Sequence, residues 1–500
     1  MTKNIIPPHD DLETLHSQEH EQRVKKVDTL RNQGIEPWPH NVTITETCQQ
    51  VRDEFEAGTE SKNYTIAGRI LAIRSHGKSI FATVQDRSGS LQIYLKKDII
   101  GDALFALFNT MIDIGDIISC HGRSFKTHMG EITLEVAQFE LLSKCLFPLP
   151  EKFHGLTHIE TKYRQRYLDL MTNPETRERF KKRSAIIRLI RNYLDTHDFM
   201  EVETPMLHPI PGGAAARPFV THHNALNEKF FLRIAPELYL KRLIIGGYER
   251  VYEINRNFRN EGVSTRHNPE FTMLEFYMAY HDYQYGMSFV EDMLRTVMQE
   301  SCGTLHVTFG NHTVDFEKPF DKLSAQQAIV KYSSITDAEL TPTTIDATLK
   351  KHDVTIENKE ASYGQKIFAL FEHTVETLLI QPTYIIDYPL EISPLAKRDA
   401  KNPEYAARYE LFIAGMEISN GFNELNDPFE QAERFKEQVK AHAAGDEEAM
   451  HYDEDYINAL QHGLAPTVGV GIGIDRLVMI ATGTTSIKEV ILFPTLKRKI

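Results

Sequence analysis

Cysteine is scarce in this chain of 500 residues: Cys48, Cys120, Cys145 and Cys302 stand far apart and form no C-x-x-C pair. That spacing argues against a disulfide framework and a structural zinc site, and it suits a reducing compartment. No stretch approaches the roughly 18 apolar residues that a membrane helix needs, so no span is expected. The opening residues, MTKNIIPPHDDLETL, lack an apolar signal core. A secreted or imported protein is therefore not expected, and a cytoplasmic one is. Positive charge is in deficit, with 70 acids against 56 bases and a net charge of −14, which argues against a non-specific nucleic-acid binder. Repeats and low-complexity segments are missing as well. A content of 41% hydrophobic and 25% charged residues describes a globular chain with a real core, and its length suits two or three domains.

The charge is unevenly spread. Lys62 to Asp98 holds seven bases and two acids, and Arg177 to Arg191 holds seven bases and one acid. Acids cluster at Asp446–Glu448 and Asp453–Asp455. Such runs usually mark a solvated face, but a basic patch on an acidic protein is also where a phosphate-rich partner docks. Residues 10 to 33 predict a polar amphipathic helix ending at Gly34. From Tyr64 to Leu142 the period becomes two, which predicts strands at 64–74, 79–86, 90–96, 116–123 and 131–142, with a helix at Asp102 to Met111. Five strands with a helix between the third and fourth suggest an OB-fold barrel or a small β domain of no known ligand. Phe147-Pro148-Leu149-Pro150 reads as a linker. Beyond it, helices are expected near 175–197, 236–246, 284–301, 323–332, 362–380, 428–443, 447–462 and 475–482. Strands are expected at 200–203, on both sides of a loop between 249 and 279, and at 383–388, 407–420 and 466–474. Antiparallel strands mixed with helices indicate an α+β fold, not a doubly wound sheet.

Three segments carry chemistry. In Glu249 to Tyr280, alternation places Glu253, Asn255, Asn257, Arg259 and Glu261 on one face with Phe271, Met273, Glu275 and Tyr277. A cation and an aromatic plane suit a nucleotide's phosphate and base. In Glu410 to Glu424, a two-residue turn at Ala414-Gly415 would oppose 412 with 417 and 413 with 416. Glu410, Phe412, Glu417 and Ser419 then share a face, opposite the apolar Leu411, Ile413, Met416 and Ile418. Two carboxylates so close repel, and a divalent cation such as Mg²⁺ would relieve them, unless both are simply solvated. Asn420, Phe422 and Glu424 extend the polar stripe. In Gly469-Val-Gly471-Ile-Gly473-Ile-Asp475-Arg476 a strand meets a helix start, where a backbone-hugging, phosphate-bearing ligand could sit. No Lys-Ser/Thr follows the glycines, which excludes a Walker loop, and the lack of a βαβ unit excludes a Rossmann fingerprint.

Taken together, these segments resemble the class II aminoacyl-tRNA synthetases over nearly the whole chain. Phe199-Met-Glu-Val-Glu-Thr-Pro205 is similar to that family's first motif, a dimer-forming helix and strand. Phe258-Arg-Asn-Glu261 with His267 and Phe271 is similar to its second, and the glycine string ending at Arg476 to its third. An OB-fold placed before them resembles subclass IIb, whose members charge Asp, Asn or Lys. Local stretches resemble the lysine-specific branch: Lys152-Phe-His-Gly155, Tyr163 to Leu170, Pro211-Gly-Gly-Ala214, Ala216-Arg-Pro-Phe219, His222 to Leu226, Arg233 to Leu240 and Glu424-Leu-Asn-Asp427. The resemblance implies an N-terminal helical extension over 1–61, an anticodon-binding barrel over 62–146 and a catalytic domain over 147–500. It implies a homodimer that joins L-lysine to tRNA(Lys) through a lysyl-adenylate. By the same resemblance Arg259 and Arg476 clamp ATP phosphates, Phe271 stacks on adenine with Glu261, His267 and Asn268 nearby, and Glu410 and Glu417 hold Mg²⁺. Gly213, Glu237, Glu275, Tyr277, Asn420, Phe422 and Glu424 would form the lysine pocket, and Phe81, Gln92 and Glu131 would read the anticodon. The alternatives are a related enzyme charging Asp or Asn, and a catalytically inactive RNA-binding relative.

Overall fold

The computed structural model describes residues 13–58, 62–150, 159–356 and 361–498. Lys152–Gly155 and the first three residues of the expected 10–33 helix lie outside them. The chain forms two compact units, Met1–Thr157 and His158–Ile500.

In the first unit the strands Asn63–His76, Ser79–Gln85, Ser90–Lys96, Ile117–Lys126 and Ile132–Ser143 close into a barrel in the order 1-2-3-5-4. The alternation seen in the sequence is the cause. Ile80, Ala82 and Val84, and then Leu91, Ile93 and Leu95, turn inward and are almost wholly buried. Phe81, Thr83, Gln92 and Tyr94 take the opposite face. The helix Glu13–Asn32 ends at Gly34, which adopts φ 76°. Arg23 ties that helix down by donating to the carbonyls of Ile114 and Cys145, each at 3.0 Å. An unexpected helix, Cys48–Glu56, starts at a capping box in which Thr47 and Gln50 satisfy each other's backbone amides.

The second unit is built on an eight-stranded, mainly antiparallel sheet. From one edge its strands run Asp321–Ser324, Thr383–Pro389, Tyr405–Ile413, Met416–Asn423, Thr467–Gly473, Glu270–Ala279, Arg250–Phe258 and Met200–Glu201. This is the expected α+β class. One face of the sheet is covered by the helices Pro174–Asp195, Tyr283–Cys302 and Ile474–Thr482. Ile186, Ile190, Met293, Leu294, Leu477 and Val478 pack there on Leu274, Phe276, Leu411, Val468 and Val470. Truncating one such buried leucine to alanine costs about 2–5 kcal/mol. The other face is covered in part, by the helix Glu237–Ile245 on Val251 and Tyr277 and by the helices Ala325–Tyr332 and Tyr363–Thr374 on Ile385 and Phe412, and is open between them.

Five expectations need correcting. The 407–420 strand is two strands joined by the expected turn, with Ala414 at φ 53° and Gly415 at φ 69°. Phe412 opposes Glu417 and Ile413 opposes Met416, as the spacing predicts. Beyond them the register slips by one, so Leu411 opposes Ser419 and Glu410 opposes Asn420. This bulge turns Ser419 into the core, where it is 1% exposed, instead of beside Glu410. The 447–462 helix is only Glu454–Leu460. Asp446 accepts the amide of Glu448 at 3.0 Å, and Asp453 caps Tyr456 at 2.8 Å. These aspartates satisfy the backbone in turn and cap geometry and so delay the helix. Finally, the strand 200–203 ends at Glu201, and the 362–380 helix ends at Thr374, followed by a short 3₁₀ turn.

Candidate active site

The open part of this face holds a cavity of about 340 Å³. Strands Arg250–Phe258 and Glu270–Ala279 pair so that Glu253 meets Glu275, Asn255 meets Met273 and Asn257 meets Phe271. The odd positions therefore share one face, and Phe271, Met273, Glu275 and Tyr277 from it line the cavity.

One end of the cavity is cationic. The Arg259 guanidinium lies over the Phe271 ring, 5.2 Å from its centroid, and its buried Nε has no hydrogen-bond partner. Arg476, in the first turn of Ile474–Thr482, donates to the Glu417 carbonyl at 2.7 Å and lies 3.3 Å from the Glu417 carboxylate. Its other nitrogen meets His267 Nε2 at 3.0 Å. Enclosure and the Arg476 charge hold the His267 imidazole below its ordinary pKa. Glu261 lines this end too. Asn268 is committed to the scaffold: its amide nitrogen donates to the Glu270 carbonyl at 2.6 Å and its oxygen accepts from the Thr495 amide at 3.1 Å. Glu410 pairs with Arg408 at 2.6 Å. Burial, reinforced by the nearby Glu417 and opposed by Arg408, pushes the Glu410 carboxyl up to about 7. Glu410 and Glu417 both line the cavity, and their carboxylate oxygens are a donor set that suits a hard divalent cation.

The other end is acidic. Gly213, at φ 87°, lets the glycine-rich loop lie against Glu237, because a Cβ there would come within 3.0 Å of the Glu237 Cβ. Glu237 begins the helix Glu237–Ile245 and accepts from Lys241, one turn on, at 2.5 Å. Tyr277 donates to Glu275 at 3.0 Å. Burial first, and then the Glu237 charge, push the Glu275 carboxyl up to about 8. Asn420 and Phe422 face the cavity, carried there by the bulge. Glu424 sits one layer behind the wall, where a Cβ on Gly469 would collide with its Oε1. Neither of its carboxylate oxygens makes a hydrogen bond, although Lys241 Nζ lies 2.5 Å from Oε2.

Several residues at the site escaped the sequence reading. Arg408 donates to Asn420 at 3.1 Å as well as to Glu410, and its position two before Glu410 on one strand was the available signal. Lys241 had a signal in its spacing of four from Glu237. Arg266 holds the hairpin turn by donating to the Gly415 carbonyl at 2.7 Å. Asp475 accepts from Arg183 at 2.6 Å and from the Thr272 amide at 2.7 Å, fixing the helix start that carries Arg476. Arg183 belongs to the basic 177–191 run. Arg179 and Arg191 of the same run pair with Glu489 and Glu201, so this run is in part internal cross-linking.

In the barrel, Phe81 is half-buried outside the hydrophobic core and stacks on Tyr94 with centroids 4.7 Å apart. Tyr94 in turn meets Phe125 at 5.9 Å. Gln92 donates to Thr133 at 3.0 Å on this outer face. Glu131 is exposed and lies 3.4 Å from Arg52. An outward aromatic beside amide and carboxylate groups offers a base a stacking plane and hydrogen-bonding edges.

Comparison with known proteins gives two family matches. The class II tRNA synthetases for D, K and N match residues 158–497, and the OB-fold nucleic acid binding domain matches residues 64–142. The chain is 52% identical over 476 residues to a lysine–tRNA ligase of Carboxydothermus hydrogenoformans, covering 95% of this chain and 97% of that one. It is 49% identical over 496 residues to one of Magnetococcus marinus, covering 97% and 99%. It is 50% identical over 483 residues to a heat-inducible lysine–tRNA ligase of Escherichia coli, covering 95% of each.

Proposed function

The chain belongs to the class II tRNA synthetases that serve aspartate, lysine and asparagine, and from that premise we propose how its site joins lysine to tRNA at the expense of ATP. The observation that carries the reading is the polarity of the cavity, with two arginines at one end and, at the other, two buried glutamates, Glu237 and Glu275, backed by a third, Glu424, behind the wall. Arg259 and Arg476 hold the ATP phosphates, and Phe271 stacks on the adenine with Glu261, His267 and Asn268 around it. Glu237, Glu275 and Glu424, with Gly213, Tyr277, Asn420 and Phe422, receive the lysine. An aspartate side chain would meet repulsion where lysine meets attraction, and a neutral asparagine side chain would leave a buried carboxylate without a cation, which speaks against the Asp and Asn alternative. Intact Arg259, Glu417 and Arg476 speak against an inactive relative.

Two steps follow. The lysine carboxylate attacks the α-phosphorus of ATP, and pyrophosphate leaves. The terminal ribose hydroxyl of the tRNA then attacks the activated carbonyl, and AMP leaves. No protein nucleophile takes part. Fixed alignment supplies much of the rate, and the two arginines neutralise charge as it grows on the phosphate. Glu410 and Glu417 would hold Mg²⁺, which neutralises phosphate charge when bound. The barrel face at Phe81, Gln92 and Glu131 reads the anticodon. The helix Pro174–Asp195 and the edge strand Met200–Glu201 form the interface of a homodimer. Among the described residues no helix is long and apolar enough to cross a membrane, and the protein works in the cytoplasm, where tRNA is used. ATP–pyrophosphate exchange measured with each of the twenty amino acids tests the reading. Lysine should drive exchange, and exchange driven by aspartate or asparagine instead would overturn it.

A further inference from the structure

Lys241 is an unusual occupant of an amino-acid pocket. Its side chain is wholly buried, and its ammonium lies 2.5 Å from both Glu237 Oε1 and Glu424 Oε2. The rings of Phe422 and Tyr456 flank it, each with a centroid 5.7 Å away. An ammonium held by two carboxylates and two aromatic faces is a fixed part of the site. The third carboxylate, Glu275, has only the Tyr277 hydroxyl. The other charges nearby cancel locally, Arg233 against Glu253 at 2.7 Å and Arg408 against Glu410 at 2.6 Å.

We propose that Lys241 is a specificity-setting residue of the pocket: when all three buried carboxylates are ionised, as they are opposite bound lysine, its one charge leaves a deficit of two, matching the α- and ε-ammonium groups of lysine. This rests on the lysine-pocket reading above and deepens it. An amino acid with a neutral side chain brings one ammonium and leaves a buried carboxylate without a partner, which is costly. Without Lys241 the deficit becomes three, more than lysine can fill. Glu237 and Glu424 would then draw the substrate ammonium into the space Lys241 now fills, away from the reacting end. Lys241 acts by positioning and touches no reacting atom.

The test is a double-mutant cycle read in lysine-dependent ATP–pyrophosphate exchange, with Lys241→Met, Glu424→Gln and the double variant. Each single change unbalances the pocket and should raise the lysine KM on the order of 100-fold, the effect of breaking a buried ion pair, with little change in the ATP KM. The double variant restores a deficit of two and should recover at least about tenfold of the Lys241→Met loss. A merely structural lysine predicts the opposite, a double variant at least as poor as the worse single one, with ATP and lysine KM rising together. That result overturns the proposal. If Lys241→Met fails to fold, the double variant, which removes both members of the pair, is compared with Glu424→Gln: a lower lysine KM in the double supports the charge match and a higher one refutes it. An unchanged lysine KM in Glu424→Gln alone refutes the pocket reading itself. Failed rescue with the Glu424 effect intact removes Lys241 only.

Discussion

Lowering the pH from about 8 to about 6 should weaken lysine capture about 50-fold. The cause is Glu275, whose carboxyl is pushed up to about 8 by burial and by the charge of Glu237. An ammonium binds the ionised form. A group of this kind is about half ionised at pH 8 and about 1% ionised at pH 6, which gives the ratio. The same shift has a definite sign for stability. Glu275 ionises near 4.5 in the unfolded chain but keeps its proton in the fold up to about 8. The ligand-free protein therefore loses stability as pH rises between those values, and bound lysine opposes the loss. The assay is the lysine KM in ATP–pyrophosphate exchange at about pH 6, 7 and 8, with Glu275→Gln as the control. The control should have a raised KM and a shallower pH dependence. A wild-type lysine KM that stays level across this window would refute the reasoning, since Glu275 would then be ionised throughout or remote from the ammonium.

Arg259→Ala and Arg476→Ala should each slow adenylate formation on the order of 100- to 1,000-fold without lowering the melting temperature, and normal exchange in either folded variant removes that arginine from the mechanism. Phe81→Ala should weaken tRNA use by roughly 5- to 150-fold and leave exchange untouched. Charging of cognate and anticodon-altered tRNA, measured beside thermal stability, checks it. A destabilised variant that still discriminates anticodons normally would return Phe81 to the barrel's packing.

The barrel was legible because its second and third strands alternate cleanly, the others alternate apart from a few bulges, and the tight turns carry glycine. Its observed strand ends lie within three residues of those expected. The hairpin turn at Ala414-Gly415 was legible from Gly415, which takes a left-handed conformation freely, and from the apolar and polar faces that a turn there aligns, although Ala414 adopts φ 53° at a cost. The stretch 447–453 misled because its acids and alanine resemble a helix start in composition, while the aspartates do their hydrogen bonding in turns. The candidate site was legible where one strand carries several of its groups, as with Glu275 and Tyr277. It was hidden where partners come from distant segments. Nothing in the neighbourhood of Lys241 in sequence announces Glu424, and nothing near Asp475 announces Arg183. Such pairs exist only once the sheet order is set.

The bulge between Glu417 and Asn420 makes this strand sensitive to length in a way that side-chain identity does not reveal. One added residue carries Glu417 and the pair Asn420 and Phe422 onto the same side of the sheet, although their numbers differ in parity. Deleting a single residue there would restore regular pairing and turn one of those groups away from the cavity. The segment can drift by substitution at its buried positions, whereas a one-codon insertion or deletion would invert half of the site at a stroke. Variation in length along this hairpin should therefore collect on the far side of Glu424, where the chain leaves the sheet, and be purged between Arg408 and Phe422.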